Sequence, residues 1–204
     1  MHFSDLRVIN HDFISPDSGF PTHPHRDMEI VTYVLKGTVE HEDSMGNKKQ
    51  IPAGDIQVMS AGTGVFHSEY NPSGDEELEL LQIWMMPSAP GGTPSYGQKK
   101  FTEEERRKGL TRLVSRDGVE GSLHIKQNAS IFALILEPGK SREIPLEPTH
   151  SYWLQVARGG LQISSPEPVD LSVGDAISLG AGEWPELKIK ANQECELLLF
   201  ELRG

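Results

Sequence analysis

The sequence predicts an all-β fold built in two similar halves, and three observations carry that expectation. The 20 glycines and 14 prolines separate short runs rich in Val, Ile, Leu and aromatics, as tight turns separate strands. At 204 residues the chain is long enough for two domains of about 100 residues, each with its own core. A spaced pattern also recurs. Gly54-Asp55 and Ala61-Gly62 return as Gly174-Asp175 and Ala181-Gly182, 120 residues on, and Val34 and Gly37 return as Val156 and Gly159, 122 residues on. The same order in nearly the same register marks a duplication.

In chain order, Leu6 to Ile9 is a short strand, with His2 and His11 at the surface, and Asp17-Ser18-Gly19 is a turn. Ile30 to Leu35 is a strand of continuous apolar character, followed after Lys36-Gly37 by Val39 to Asp43. Gln50-Ile51, Ile56 to Met59, Val65 to Glu69 and Leu78 to Met86 complete the strands of the first half. The Pro/Gly-rich stretch Pro87 to Gly97 reads as a linker. Phe101 to Gly109 reads as one short helix: Thr102 and Glu105 fit a capping box, acids fill the first turn and bases the last. The second half returns to strands at Ser122–Gln127, Ile131–Leu136, Tyr152–Ala157, Leu161–Ser164, Ala176–Leu179, Glu186–Lys190 and Glu194–Leu202.

Composition narrows the function. The net charge of −11 argues against nucleic acid and anionic membranes as partners. No run approaches the ~18 apolar residues that a membrane span needs, and MHFSDLRVIN lacks the apolar segment of a signal peptide. The single Cys195 permits no intrachain disulfide, which places the expectation in a reducing, cytoplasmic setting, with Cys195 itself buried and inert.

The chemistry lies in two same-face pairs. His23 and His25 stand two apart around Pro24, and His67 and Glu69 stand two apart in Val65-Phe66-His67-Ser68-Glu69. On extended strands, residues i and i+2 point to one side. Two such strands offer three imidazole nitrogens and one carboxylate, a set suited to a divalent transition metal with coordination positions left open for chemistry. Read across the repeat, His67 and Glu69 become Leu187 and Ile189, while His23, His25 and Glu29 become Pro145, Glu147 and Ser151. The second copy is therefore expected to bind no metal, with His124 and His150 structural or exposed.

Gly19, His23, His25, Glu29 and Gly37 resemble the first motif of the cupin superfamily, and Pro52, Gly54 and His67 resemble its second. More narrowly, the strings GFPTHPHRDMEIVTYVLKGTVEHEDSMGN, IPAGDIQVMSAGTGVFHSEYNP and LQIWMMP resemble the pirin family in its bacterial branch, over most of residues 3–97. The second half resembles it loosely. The resemblance implies a bicupin: two antiparallel, jelly-roll-like β-barrels face to face, joined by one short linker helix. A metal-binding barrel would occupy residues 1–98 and a degenerate, metal-free barrel residues 99–204. Family members usually begin some tens of residues before the Leu-Arg-Val-Ile segment, so the expectation is either a misassigned start or a first barrel without the family's first strands.

The resemblance also assigns roles. His23, His25, His67 and Glu69 would hold one divalent ion, iron foremost, with nickel, manganese, copper, zinc or cobalt as alternatives. Glu29, a ligand in many other cupins, would lie near the ligands or line the pocket. Bacterial pirins resemble quercetinases, which implies a dioxygenase that opens a flavonol ring with O₂ and releases CO, acting as a monomer. Glu69 would take the substrate proton, with Glu29 as runner-up. Gly62 and Gly64 would leave room beside the ion. Phe66, Met59 and Trp84 would line an apolar pocket or pack the core, and His41 could face the pocket, although a strand-end residue beside acids is more often exposed. Two other readings remain open: a metal-dependent regulator that binds a protein partner, and a cupin enzyme with a different small-molecule substrate.

Overall fold

The structure is a computed structural model that describes residues 2–164 and 167–204. The first strands are β1 (Leu6–Ile14), β2 (Gly19–His25), β3 (Glu29–Lys36), β4 (Thr38–Asp43), β5 (Lys48–Pro52), β6 (Asp55–Ser60), β7 (Val65–Tyr70), β8 (Leu78–Met85) and β9 (Ser95–Lys100). Helix α1 (Glu103–Lys108) follows, then β10 (Thr111–Ser115), a 3₁₀ turn at Val119–Gly121 and β11 (Leu123–His124). The remaining strands are β12 (Ser130–Leu136), β13 (Ser141–Pro145), β14 (His150–Arg158), β15 (Gly160–Ser164), β16 (Val169–Ser172), β17 (Ala176–Leu179), β18 (Glu186–Ala191) and β19 (Cys195–Arg203). The chain is all-β apart from α1 and the 3₁₀ turn, and none of its described helices is long and apolar enough to cross a membrane.

Two compact units emerge. The first comprises Met1–Phe101 and Arg116–Asn128, the second Thr102–Ser115 and Ala129–Gly204. The chain thus leaves the first unit after Phe101, returns to it for Arg116–Asn128, and leaves again, where the sequence suggested one boundary at residue 98.

In the first unit, a sheet ordered β1-β8-β3-β6-β9 faces a sheet ordered β2-β7-β4-β5. Alternation along the strands sends Ile14, Val34, Leu78 and Leu80 of one sheet against Val39 and Ile51 of the other. In the second unit the order β12-β19-β14-β17 repeats β1-β8-β3-β6, and β13-β18-β15-β16 repeats β2-β7-β4-β5. The duplication seen in the glycines is therefore also a duplication of topology. Leu187 and Ile189 on β18 lie in the apolar core of the second unit. The register refines the rest of the comparison: His23 pairs with His67, and Ile144 pairs with Leu187. The counterpart of His23 is thus Ile144 rather than Pro145, and it too is buried in apolar surroundings.

Three expectations change. Ser95, Tyr96 and Gly97, read as the end of a linker, begin β9, which extends the first sheet by pairing with β6. Of Ser122 to Gln127, only Leu123–His124 is strand. Strands β10, β13 and β16 lie in segments too polar to stand out in the sequence. Helix α1 carries the expected capping box between Thr102 and Glu105, and its Arg106 is buried in an ion pair with Glu196.

Candidate metal centre

Strands β2 and β7 are antiparallel neighbours, so the two same-face pairs of the sequence meet across one ladder, His23 directly opposite His67. The rings of His23 and His67 have centroids 4.4 Å apart, those of His25 and His67 4.9 Å, and those of His23 and His25 4.8 Å. One nitrogen from each of the three lies within 4.8 Å of the others. His23 Nδ1 lies 2.8 Å from the carbonyl of Pro21, a pure acceptor, so Nδ1 donates and Nε2 presents its lone pair. His67 is the buried centre of the group, and neither of its ring nitrogens reaches a hydrogen-bond partner.

Glu69 is held from the opposite sheet. Gln82 on β8 donates through Nε2 to Oε2 at 2.6 Å, and Thr32 on β3 reaches Oε1 at 3.1 Å. The same Thr32 hydroxyl lies 3.0 Å from Gln82 Oε1. Its single proton serves one acceptor at a time, so Oε1 is the less firmly held oxygen of Glu69. Glu69 also forms a close set with His67 and His41. The structure thus gathers two overlapping triads that share His67: His23, His25 and His67, and His41, His67 and Glu69.

The surroundings of His25 and His67 disfavour their charged forms. Burial, reinforced by the neighbouring His23, pushes His25 down to about 4. Burial with the adjacent His23, His25 and His41 pushes His67 down to about 3. Both are neutral at physiological pH, the form that ligates. Burial raises Glu69 to about 7 despite the donors Thr32 and Gln82.

The other candidates are placed as follows. Glu29 is buried, but its Oε2 accepts from Ser60 Oγ at 2.7 Å and from the backbone N–H of Lys126 at 3.1 Å, and it belongs to neither triad. Met59 is fully buried core, and Phe66 points outward, 56 % exposed. Trp84 sets its indole edge-on to His25 with centroids 5.1 Å apart. A Cβ on Gly62 would fall 1.9 Å from the Gly92 carbonyl, so this glycine admits a neighbouring backbone rather than opening space at the centre. At Gly64 the nearest such atom is the His25 carbonyl, 3.9 Å away.

His41 reverses its expectation. It is fully buried, 5.4 Å from His67 between ring centroids and 5.1 Å from Tyr96. Alternation on β4 turns Val39, His41 and Asp43 inward and leaves Glu42 exposed, so the flanking acids masked an interior histidine. That alternation was legible, whereas Thr32, Gln57 and Gln82 are single polar residues in apolar strands whose partners are distant in sequence.

The donor set fits a divalent first-row ion: three imidazoles, a carboxylate, and a buried ring whose nitrogens meet no hydrogen-bond partner among the described residues. The pirin family profile matches residues 1–85, and that of the quercetinase C-terminal cupin domain matches residues 112–202. Two proteins named quercetin 2,3-dioxygenase, from Escherichia coli O157:H7 and K12, are each 46% identical over 206 residues, covering 99% of this chain and 84% of theirs. The crystal structure of the bacterial pirin YhhW from Escherichia coli in complex with nickel(II) superposes with a TM-score of 0.91 at 44% identity, over 100% of this chain and 85% of that one. On the superposition, the two profiles and this identity along nearly its whole length, the chain belongs to the pirin family.

Proposed function

We propose that this chain is a metal-dependent dioxygenase that opens a flavonol ring with O₂ and releases CO. The observation that carries the reading is the convergence of His23 and His25 on His67, with Glu69 beside them. His23, His25, His67 and Glu69 are its metal ligands. A divalent ion held there supplies the Lewis acidity that makes a 3-hydroxy-4-carbonyl group easier to deprotonate, and a meeting point for substrate and O₂.

The side chains do the rest. Glu69 Oε1 takes the hydroxyl proton when the Thr32 hydroxyl turns to Gln82, while Gln82 keeps Oε2 in place. Glu29 is committed to Ser60 and Lys126 and is the weaker choice of base. Trp84 offers a flat apolar wall next to His25 for an aromatic ligand.

The test is metal analysis of purified, reconstituted protein by mass spectrometry, with Glu69→Ala and Leu187→Ala. The expected result is about one ion per chain in wild type and Leu187→Ala, and less in Glu69→Ala. A folded wild type that takes up no ion would end the assignment.

A further inference from the structure

A second histidine sits within reach of the proposed centre and is tied off from it. His41, His67 and Glu69 offer ligand atoms within 4.8 Å of one another, an arrangement that could itself hold an ion. Yet both ring nitrogens of His41 are engaged. Nε2 lies 3.1 Å from Asp43 Oδ2, and Nδ1 lies 3.1 Å from Gln57 Nε2. A carboxylate only accepts and an amide NH₂ only donates, so Nε2 carries the proton and Nδ1 spends its lone pair on Gln57. Asp43 is anchored in turn: its Oδ1 accepts from the backbone N–H groups of Met45 and Asn47 at 2.9 and 3.0 Å, and Asn47 Nδ2 donates to its Oδ2 at 2.8 Å. Tyr96 packs on His41 as well.

We propose that His41 is a positioning residue that Asp43 and Gln57 keep out of the coordination sphere, where it braces His67 and confines the ion to His23, His25, His67 and Glu69. The inference rests on the metal-centre reading above but not on any flavonol chemistry. It makes Gln57 and Asp43 determinants of coordination although neither touches the ion. Without them His41 is released, its ring centroid 5.4 Å from that of His67, and the centre acquires a fourth imidazole.

The experiment counts imidazoles by X-ray absorption on the cobalt(II)-loaded full chain and measures cobalt affinity by chelator competition. It compares wild type, Gln57→Leu, Asp43→Ala and Gln57→Leu/His41→Phe, each checked for folding by circular dichroism. Three imidazoles are expected in wild type and four in Gln57→Leu, which frees the Nδ1 lone pair, or in Asp43→Ala, where the ring is free to turn that lone pair from Gln57 to the ion. The double variant should return to three, with affinity about 10- to 100-fold below wild type because the brace is gone. Asp43 also organises its own turn, so Gln57→Leu is decisive if Asp43→Ala does not fold. Four imidazoles in wild type would overturn the proposal, as would three in the released variants with wild-type affinity. A folded wild type that binds no cobalt would remove the metal centre and this inference together, whereas absent flavonol turnover would leave the count untouched.

Discussion

Glu69 should govern how metal uptake depends on pH. Its carboxyl is buried and held up to about 7, so at mildly acidic pH the metal-free site carries a proton that an incoming ion must displace. The perturbation is Glu69→Gln, which keeps the shape and removes the titration. His25 and His67 stay neutral down to about 4 and 3, and the histidines are the same in both proteins, so the ratio of wild-type to variant affinity isolates the carboxyl. Above about pH 7 that ratio should be flat. Below it, one displaced proton makes it fall towards tenfold per pH unit, or about 30-fold from the high-pH plateau to pH 5.5. Nickel(II) titration against a competing chelator from pH 5.5 to 8 reads this directly. A ratio independent of pH would refute the reasoning, because Glu69 would then either not ligate or not be protonated in the metal-free protein.

Further outcomes follow from the same contacts. In the metal-free protein, Glu69 contributes stability below its ordinary value of 4.5 that is lost as pH rises to about 7, which amounts to about 3 kcal/mol. Urea unfolding should therefore show Glu69→Gln gaining about that much on wild type between pH 4.5 and 7.5, and a constant difference would contradict it. Gln82→Leu removes the 2.6 Å bond to the carboxylate, worth about 1.5–3 kcal/mol, so the pH at which the affinity ratio breaks should rise by about one to two units. Gly62 has φ of +49° and meets the Gly92 carbonyl, so Gly62→Ala should cost about 1–3 kcal/mol, read as a lower melting temperature.

The sequence made the centre visible where chemistry followed strand period. His23/His25 and His67/Glu69 are each two apart on strands, so knowing the strands was enough to put each pair on one face. His41 obeys the same alternation, but Glu40, Glu42 and Asp43 around it read as a solvated strand end. Asp43 is charged and still inward, because Asn47 and His41 satisfy it. Such partnerships between β4, β6 and a turn cannot be read from spacing. Glu29 carried a ligand's pattern but is used to fix the backbone of Lys126, 97 residues away. The linker reading failed for a related reason. The prolines and glycines before Ser95 do break the chain, but Tyr96 and Gln98 find strand partners on β6, which composition does not reveal.

The fate of a flavonol at this centre decides whether it is a dioxygenase. The direct measurement is headspace CO and O₂ uptake from quercetin under air, with metal-reconstituted wild type and His67→Ala at equal protein. One CO released per O₂ consumed is expected from wild type, and neither above background from His67→Ala. Flavonol loss without CO, or CO release that persists in His67→Ala, would contradict it.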